Sequence, residues 1–542
     1  MNRRIFMKHA VSVVAGSLVC KNVARAEGAK KPPNIIYILT DDQGWTSVSY
    51  RSDPNRPDSQ SDYLETPHMA RAARTGMRFT DAYAPNPICS PTRHAILFGQ
   101  NAARHVYGKD LAWIKKAPAW LTIPKALKEA DPAYRAAHFG KWHVGLMPED
   151  LRFDYSDGPT SNSAGETVNG VYREKDGVEA NLAQYNKKHG ITPPTLNGRY
   201  SEFPVHYADG DPKSAFGMTR RAETFMRECV KDKKPFFAYI AHFATHLDMV
   251  SSKKASSHFK NKEKGEKHDN PFYAAMVKDM DSSIGCVLDF VKEMNIADNT
   301  YVFIMSDNGG VQHIAQTASL ADDSNEVVDS HETSVVWRNL PLRHGKHEFY
   351  EGGLRVPFLV LGPGIEENSV CRQPVTGLDL LPTFADLAGH SMQLPTELDG
   401  GSLVPVLRNC GQGAIRRNRD VLIFHQAANR IPISAIRKGR YKLVKHWLAE
   451  NPGDLTSQYV GEKLLELYDL SEDVEERRDL SVKMPERTKE LDNELMEFLK
   501  EVHAETKHTR RKSAYGTMLK ARGLGSSRTV MAKPEYKSPF RR

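Results

Sequence analysis

Four short apolar runs, each delivering the chain into polar residues or a turn, constrain this sequence more than any other feature. Ile35-Ile36-Tyr37-Ile38-Leu39-Thr40 runs into Asp41-Asp42, and Phe236-Phe237-Ala238-Tyr239-Ile240 leads toward His246. Tyr301-Val302-Phe303-Ile304-Met305 ends at Asp307-Asn308, and the run over residues 356–361 stops at Gly362-Pro363-Gly364. A strand that is apolar at every position must be covered on both faces, which is the pattern of buried parallel strands; the carboxyl ends of such strands are where α/β sites form. Helical patterns lie between them, the clearest with Met276, Met280, Ile284, Val287, Leu288 and Val291 on one face just before the strand at Tyr301. The alternation predicts an α/β fold, a large mixed, mostly parallel sheet sandwiched by helices.

From about residue 415 the rhythm changes to short strands, with Ile433 and Tyr441 opening two of them around a Lys438-Gly439 turn and a last one over 464–470. A helix with Leu491, Leu495, Phe498, Leu499 and Val502 at helical spacing follows, so the expected second unit is a smaller C-terminal domain of antiparallel sheet plus helix. The boundaries read from the sequence are 1–26, 34–415, 416–505 and 506–542. At 40% hydrophobic residues the 542-residue chain can bury the core such a fold needs. Its net charge of +8 misleads, because residues 506–542 hold eleven Lys or Arg against one acid, Glu535, a local +10 that leaves the rest at −2. The body is therefore no nucleic-acid-binding protein by charge, and the tail reads as solvated and unstructured. The stretch 150–199, rich in Gly, Asn, Lys and Thr, reads as a long surface insertion of the kind that shapes substrate binding.

Residues 1–26 read as a targeting segment, with basic residues, an apolar run over 11–19 and Ala24-Arg25-Ala26 as the cleavage site. That run is too short to span a bilayer, and no later segment is long enough. Asn2-Arg3-Arg4-Ile5-Phe6-Met7-Lys8 resembles a bacterial twin-arginine export signal, which implies export to the periplasm or the exterior; an ordinary secretory signal is the alternative.

The six cysteines show no CxxC pair or zinc spacing, yet one lies in a distinctive stretch, Cys89-Ser90-Pro91-Thr92-Arg93, with Leu97 and Gly99 downstream. Asp41-Asp42 and Asp307-Asn308, each closing a strand, supply four oxygen-bearing side chains, a set suited to Ca²⁺ or Mg²⁺ rather than zinc. Capping and turn formation is the plainer use of either pair alone. Further along stand Gly140-Lys141-Trp142-His143-Val144-Gly145, then Ala244-Thr245-His246, then Gly345-Lys346-His347-Glu348 leading to Gly352-Gly353-Leu354-Arg355.

Taken in order, these motifs resemble those of the formylglycine-dependent sulfatases, arylsulfatase A-like enzymes with the alkaline phosphatase superfamily fold. The match runs from about Asn34 to Glu466-Leu467-Tyr468-Asp469-Leu470 and includes Asp379-Leu380-Leu381-Pro382-Thr383. The resemblance implies that 34–415 is the catalytic domain, that Cys89 is converted to formylglycine by a separate maturation enzyme, and that Asp41, Asp42, Asp307 and Asn308 bind Ca²⁺, ahead of Mg²⁺. It implies that Arg93, Lys141 and Lys346 neutralise sulfate oxygens, that His143 serves the aldehyde hydrate as base, and that His246 or Lys346 protonates the leaving alkoxide. Lys141, His246 and Lys346 are then the substrate-binding set. Thr92 departs from the commoner Ser or Ala, Phe98 from Thr or Ser, and Thr245 from Pro, while His242 competes with His246 for its place. The implied substrate is a sulfated small molecule or glycan. A phosphate or phosphonate monoester hydrolase of the same superfamily, and a binding protein for sulfated glycans that never matures Cys89, remain the alternatives.

Overall fold

In the computed structural model the run Asn34–Thr40 forms β1, and every one of its residues is buried. The structure describes residues 31–104, 119–158, 160, 212–246, 249, 251–311, 314–315, 333–334, 339–426, 433–447 and 465–506. The targeting segment 1–26, residues 161–199 of the insertion and residues 507–542 of the tail lie outside these. No helix among the described residues is long and apolar enough to cross a membrane.

The main sheet contains β1, β2 (Met77–Phe79), β3 (Arg135–Gly140), β4 (Tyr155–Ser156), β5 (Phe236–Ala241), β6 (Thr300–Ser306), β7 (Phe358–Leu361) and β8 (Ser369–Cys371), in the spatial order β8-β2-β7-β6-β1-β5-β3-β4. Only β7 runs antiparallel to its neighbours. Its apolar sequence secures burial but does not set direction. The turn Gly362-Pro363-Gly364 therefore falls at the end of the sheet away from Asp307, where the Tyr301 hydroxyl at the start of β6 donates to the Pro363 carbonyl at 2.9 Å.

Alternate residues of β1 serve opposite layers, as the period of two requires. Ile35, Tyr37 and Leu39 pack among Ile96 and Leu97 of α2 (Cys89–Phe98), Ile123 of α3 (Ile123–Ala130) and Phe384 of α6 (Leu380–Ala388). Ile36 and Ile38 face Met69 of α1 (Pro67–Thr75), Met218 of α4 (Ala215–Lys231) and Met280 of α5 (Pro271–Glu293). Helix α5 starts where its sequence directs: the Asn270 side chain accepts from the amides of Phe272 and Tyr273, both at 3.0 Å, and Pro271 supplies the first helical residue.

The smaller sheet runs β9 (Leu422–Gln426), β10 (Ile433–Lys438), β11 (Tyr441–His446) and β12 (Leu465–Asp469), antiparallel throughout. One face receives Leu491, Leu495 and Phe498 of α7 (Pro485–Glu501), and the other packs on Tyr83, Tyr350 and Leu354 of the larger unit. Charge as well as apolar surface is buried at this junction. Lys442 of β11 bridges Glu351 (2.9 Å) and Glu476 (2.8 Å), Arg355 donates to Glu351 at 2.6 Å, and Arg437 of β10 meets Asp81 at 2.6 Å. Burial works against charge on Glu351, but Lys442 and Arg355 outweigh it and hold the carboxyl down to about 2. Burial pushes the second carboxyl on Lys442, Glu476, up to about 7.

Removing one partner of a buried ion cluster leaves the others uncompensated, typically at about 3–5 kcal/mol. Lys442→Met should therefore lower the unfolding temperature sharply, and adding Glu476→Gln should recover part of the loss, both read by thermal melts.

Candidate active site

Strands β6, β1, β5 and β3 are consecutive in the sheet and mutually parallel, with Thr40 level with Ser306 and Gly140 level with Ala241. Their carboxyl ends consequently open side by side. They present Asp307-Asn308, Asp41-Asp42, the turn to His246, and Lys141 to His143. Asp42 (φ 57°) and His143 (φ 51°) both adopt left-handed backbone, which Asp and His tolerate better than most residues and which turns each side chain sharply out of its strand. Helix α2 delivers Cys89 as its first residue with Pro91 in its first turn, and closes on Gly99 at φ 62°.

All ten residues singled out in the sequence join one contiguous set. Cys89 Sγ lies 3.4 Å from His143 Nδ1, and within 4.8 Å of one carboxylate oxygen each from Asp41 and Asp307. The Arg93 guanidinium closes Nε (3.0 Å) and Nη2 (2.8 Å) on Asp307 Oδ2, and its Nη1 donates to the Lys141 carbonyl at 2.7 Å. Lys141 Nζ pairs with Asp41 Oδ2. Lys346 Nζ donates to Asp42 Oδ2 at 2.7 Å, Asn308 Nδ2 donates to Asp42 Oδ1 at 2.6 Å, and His246 Nε2 stands 3.9 Å from Asp42 Oδ2. His242, the competing histidine, is buried beneath the site, and its main-chain N–H donates to Leu39.

Electrostatics follow from crowding and burial. For Asp41 burial opposes ionisation, but Lys141 and Arg93 prevail and hold its carboxyl well below the usual range. Asp307 is pushed up to about 7 by burial and by the charge of Asp41. Arg93 is also raised, which for a guanidinium favours the charged form, because Asp307 overcomes burial. Two guanidinium N–H groups on one carboxylate oxygen describe an ionised pair, so the push on Asp307 reflects its burial and then the crowding of carboxylates, and a divalent cation would relieve the crowding. Burial takes His246 down to about 4, despite Asp42 beside it. Lys346 is raised against burial, by Asp42 and also by the Cys89 sulfur.

The donor chemistry fits a hard divalent ion. Asp41 Oδ1 and Asn308 Oδ1 are buried and accept no hydrogen bond, and Asp41, Asp42, Asp307 and Asn308 offer oxygen alone.

Several supporting residues escaped the sequence reading. Thr160 accepts the Trp142 amide at 2.9 Å on its hydroxyl, donates that hydroxyl to the Gly140 carbonyl, and takes the His143 amide at 2.8 Å on its own carbonyl. Asp157 accepts the Gly140 amide at 2.8 Å and is itself held by Arg221 at 2.6 Å. Both belong to the start of the stretch expected to be a surface insertion. That start instead adds the edge strand β4 and buttresses the Lys141-to-His143 turn, a role for which short polar side chains leave no periodic signal. The Thr92 hydroxyl donates to the Asn86 carbonyl at 2.6 Å, bracing the approach to Cys89, and Phe98 stacks on His94 at 4.4 Å.

A family model described as Sulfatase matches residues 33–390, and one described as N-sulphoglucosamine sulphohydrolase, C-terminal, matches residues 343–505. The chain is 29% identical over 406 residues to N-acetylgalactosamine-6-sulfatase of Homo sapiens, covering 70% of this chain and 67% of that one. It is 29% identical over 548 residues to a sulfatase of Formosa agariphila, covering 88% and 90%. Among solved structures it is similar to Ps i-CgsB in complex with k-i-k-neocarrahexaose, with a TM-score of 0.65, 23% identity and coverage of 91% and 98%.

Two buried histidines behind the site make its stability depend on pH. Burial pushes His138 down to about 4 and His242 to about 3, with Arg93 adding to the latter. An unfolded histidine, near 6.5, takes up a proton that the folded one refuses, so their contribution is complete above about pH 6.5 and falls as pH drops toward 4. The expected slope is about 1.4 kcal/mol per pH unit for each histidine. Melting temperatures measured between pH 7 and 4.5 should fall accordingly, and a flat profile would show that these rings do not stay neutral.

Proposed function

The chain belongs to the sulfatase family and is a sulfuric ester hydrolase, and from that premise we propose that it removes sulfate from a sulfated carbohydrate using formylglycine made from Cys89. The observation that carries the reading is the setting of Cys89. An ordinary core cysteine sits among apolar side chains, whereas this one lies against His143, Asp41 and Asp307. Two of the relatives, an N-acetylgalactosamine-6-sulfatase and a structure holding a neocarrahexaose, support a carbohydrate substrate.

In this reading Asp41, Asp42, Asp307 and Asn308 hold Ca²⁺, which supplies fixed positive charge against sulfate oxygens. Position 89, once converted to formylglycine and hydrated, would supply a nucleophilic hydroxyl for the sulfur and a second hydroxyl through which the sulfate could be released, an exit that a serine lacks. His143, with Nδ1 beside position 89, takes up the proton released there. Arg93, Lys141 and Lys346 bring three cations to the compact sulfate and expose its sulfur. His246 is neutral in the free protein, and a sulfate anion bound beside it favours its protonated form, which then serves the leaving alkoxide. Residues 1–26 direct export to the periplasm or exterior, and a separate maturation enzyme converts the cysteine before export.

Mass spectrometry of the tryptic peptide 79–93 from protein made in its native host should show an aldehyde in place of the Cys89 thiol. An active protein carrying the unmodified thiol would overturn the mechanism; an inactive one with that thiol would favour glycan binding without turnover. His246→Ala should lower kcat on an aryl sulfate by about 10²–10⁴. Hydrolysis of the matching aryl phosphate at a comparable rate would instead favour the phosphoesterase reading.

A further inference from the structure

Thr245 stands immediately before His246 in the turn leaving β5, and it is fully buried. Its main-chain N–H donates to the Asp41 carbonyl. Its hydroxyl lies 3.0 Å from the Asp42 carbonyl and 3.1 Å from that of Asp41, and the phenol of Tyr273, on the first turn of α5, lies 3.2 Å from the same hydroxyl. A hydroxyl has one proton to give, and carbonyls only accept. The Thr245 hydroxyl shares its one proton between these two carbonyls, that of Asp42 being the nearer, which leaves Tyr273 to donate to Thr245.

Asp42 needs such a hold. Its backbone is left-handed at φ 57°, which Asp tolerates better than most residues but still at a cost that surrounding contacts must offset. This turn places the carboxylate 2.6 Å from Asn308 Nδ2 and 2.7 Å from Lys346 Nζ. A proline at position 245 could offer neither the N–H nor the hydroxyl.

We propose that Thr245 and Tyr273 are positioning residues, a hydroxyl pair that runs from α5 to the Asp42 carbonyl and fixes the turn presenting Asp42 to the bound cation and to Lys346. The calcium part rests on the reading given above, so the test uses two readouts. Full-length protein is compared with Thr245→Val, which keeps the shape and the N–H, Thr245→Ser, which restores the hydroxyl, Tyr273→Phe, and the Val/Phe double variant.

The first readout is the Ca²⁺ concentration giving half-maximal rise in unfolding temperature after chelation. It should increase roughly ten-fold or more in Thr245→Val. It should return near wild type in Thr245→Ser, increase less in Tyr273→Phe, and be no worse in the double variant than in Thr245→Val. The second is kcat on an aryl sulfate at saturating Ca²⁺, which should fall in Thr245→Val with little change in KM and recover in Thr245→Ser.

Wild-type midpoints and kcat in Thr245→Val, or losses that Ser does not restore, overturn the proposal. If Thr245→Val does not fold, Tyr273→Phe decides: a shifted Ca²⁺ midpoint supports it and an unchanged one overturns it. If wild type gains no stability from Ca²⁺, the calcium reading fails by itself. The kcat comparison then decides, since a drop rescued by Ser supports positioning and the absence of a drop overturns it.

Discussion

Asp41, Asp42 and Asp307 are wholly buried beside one another, and carboxylates withdrawn from water cost several kcal/mol each unless opposite charge is fixed next to them. The fold answers with three cations from three separate segments: Arg93 from α2, Lys141 from the end of β3, and Lys346 from the segment before β7. No single element could bring them together, which is why the carboxyl ends of four adjacent parallel strands and the start of one helix converge. The same convergence places Cys89 where an anion bound among those cations would meet it.

That charge balance also explains how much of the site was legible in the sequence. Asp41-Asp42 and Asp307-Asn308 follow buried apolar runs, and those runs became β1 and β6, neighbours in register. Motif resemblance then picked out the basic residues, because a lysine or histidine in a turn has no periodicity of its own to mark it. What stayed hidden is the support. Thr160, Asp157 and Thr245 act through hydrogen bonds to main-chain groups, and their usefulness depends on where distant strands place those groups. The direction of β7 was hidden for a related reason, since an equally apolar strand buries equally well either way.

The C-terminal sheet was legible as a separate rhythm, but its attachment was not. Lys442 and Arg437 lie on two of the short strands read from the sequence, and nothing local marks them as partners of Glu351 and Asp81, which are 91 and 356 residues earlier in the chain. Burying whole ion clusters at a junction is a weak way to gain stability, because desolvation offsets most of the attraction. It is a strong way to fix one relative placement, since each charge tolerates little displacement from its partner.

That placement bears on the chemistry through the segment 346–355. Lys346 at its start reaches Asp42, while Glu351 and Arg355 at its end enter the buried cluster with Lys442. Between these points the segment is fastened to the catalytic loops: the amide of Lys346 donates to Gly310 at 2.9 Å, that of His347 to Pro87 at 2.9 Å, and the amide of Gly309 to Gly353 at 3.0 Å. A side chain at Gly309 would collide with the Gly352 carbonyl, and one at Gly353 with the Glu348 carbonyl, so the glycines permit this close approach. Pro87 leads directly into Cys89, and Gly309 follows Asn308. The segment thus touches the cysteine loop, the acidic loop and the second sheet within ten residues, so the buried ion cluster that places the second sheet also anchors the far end of the stretch that presents Lys346 beside Cys89.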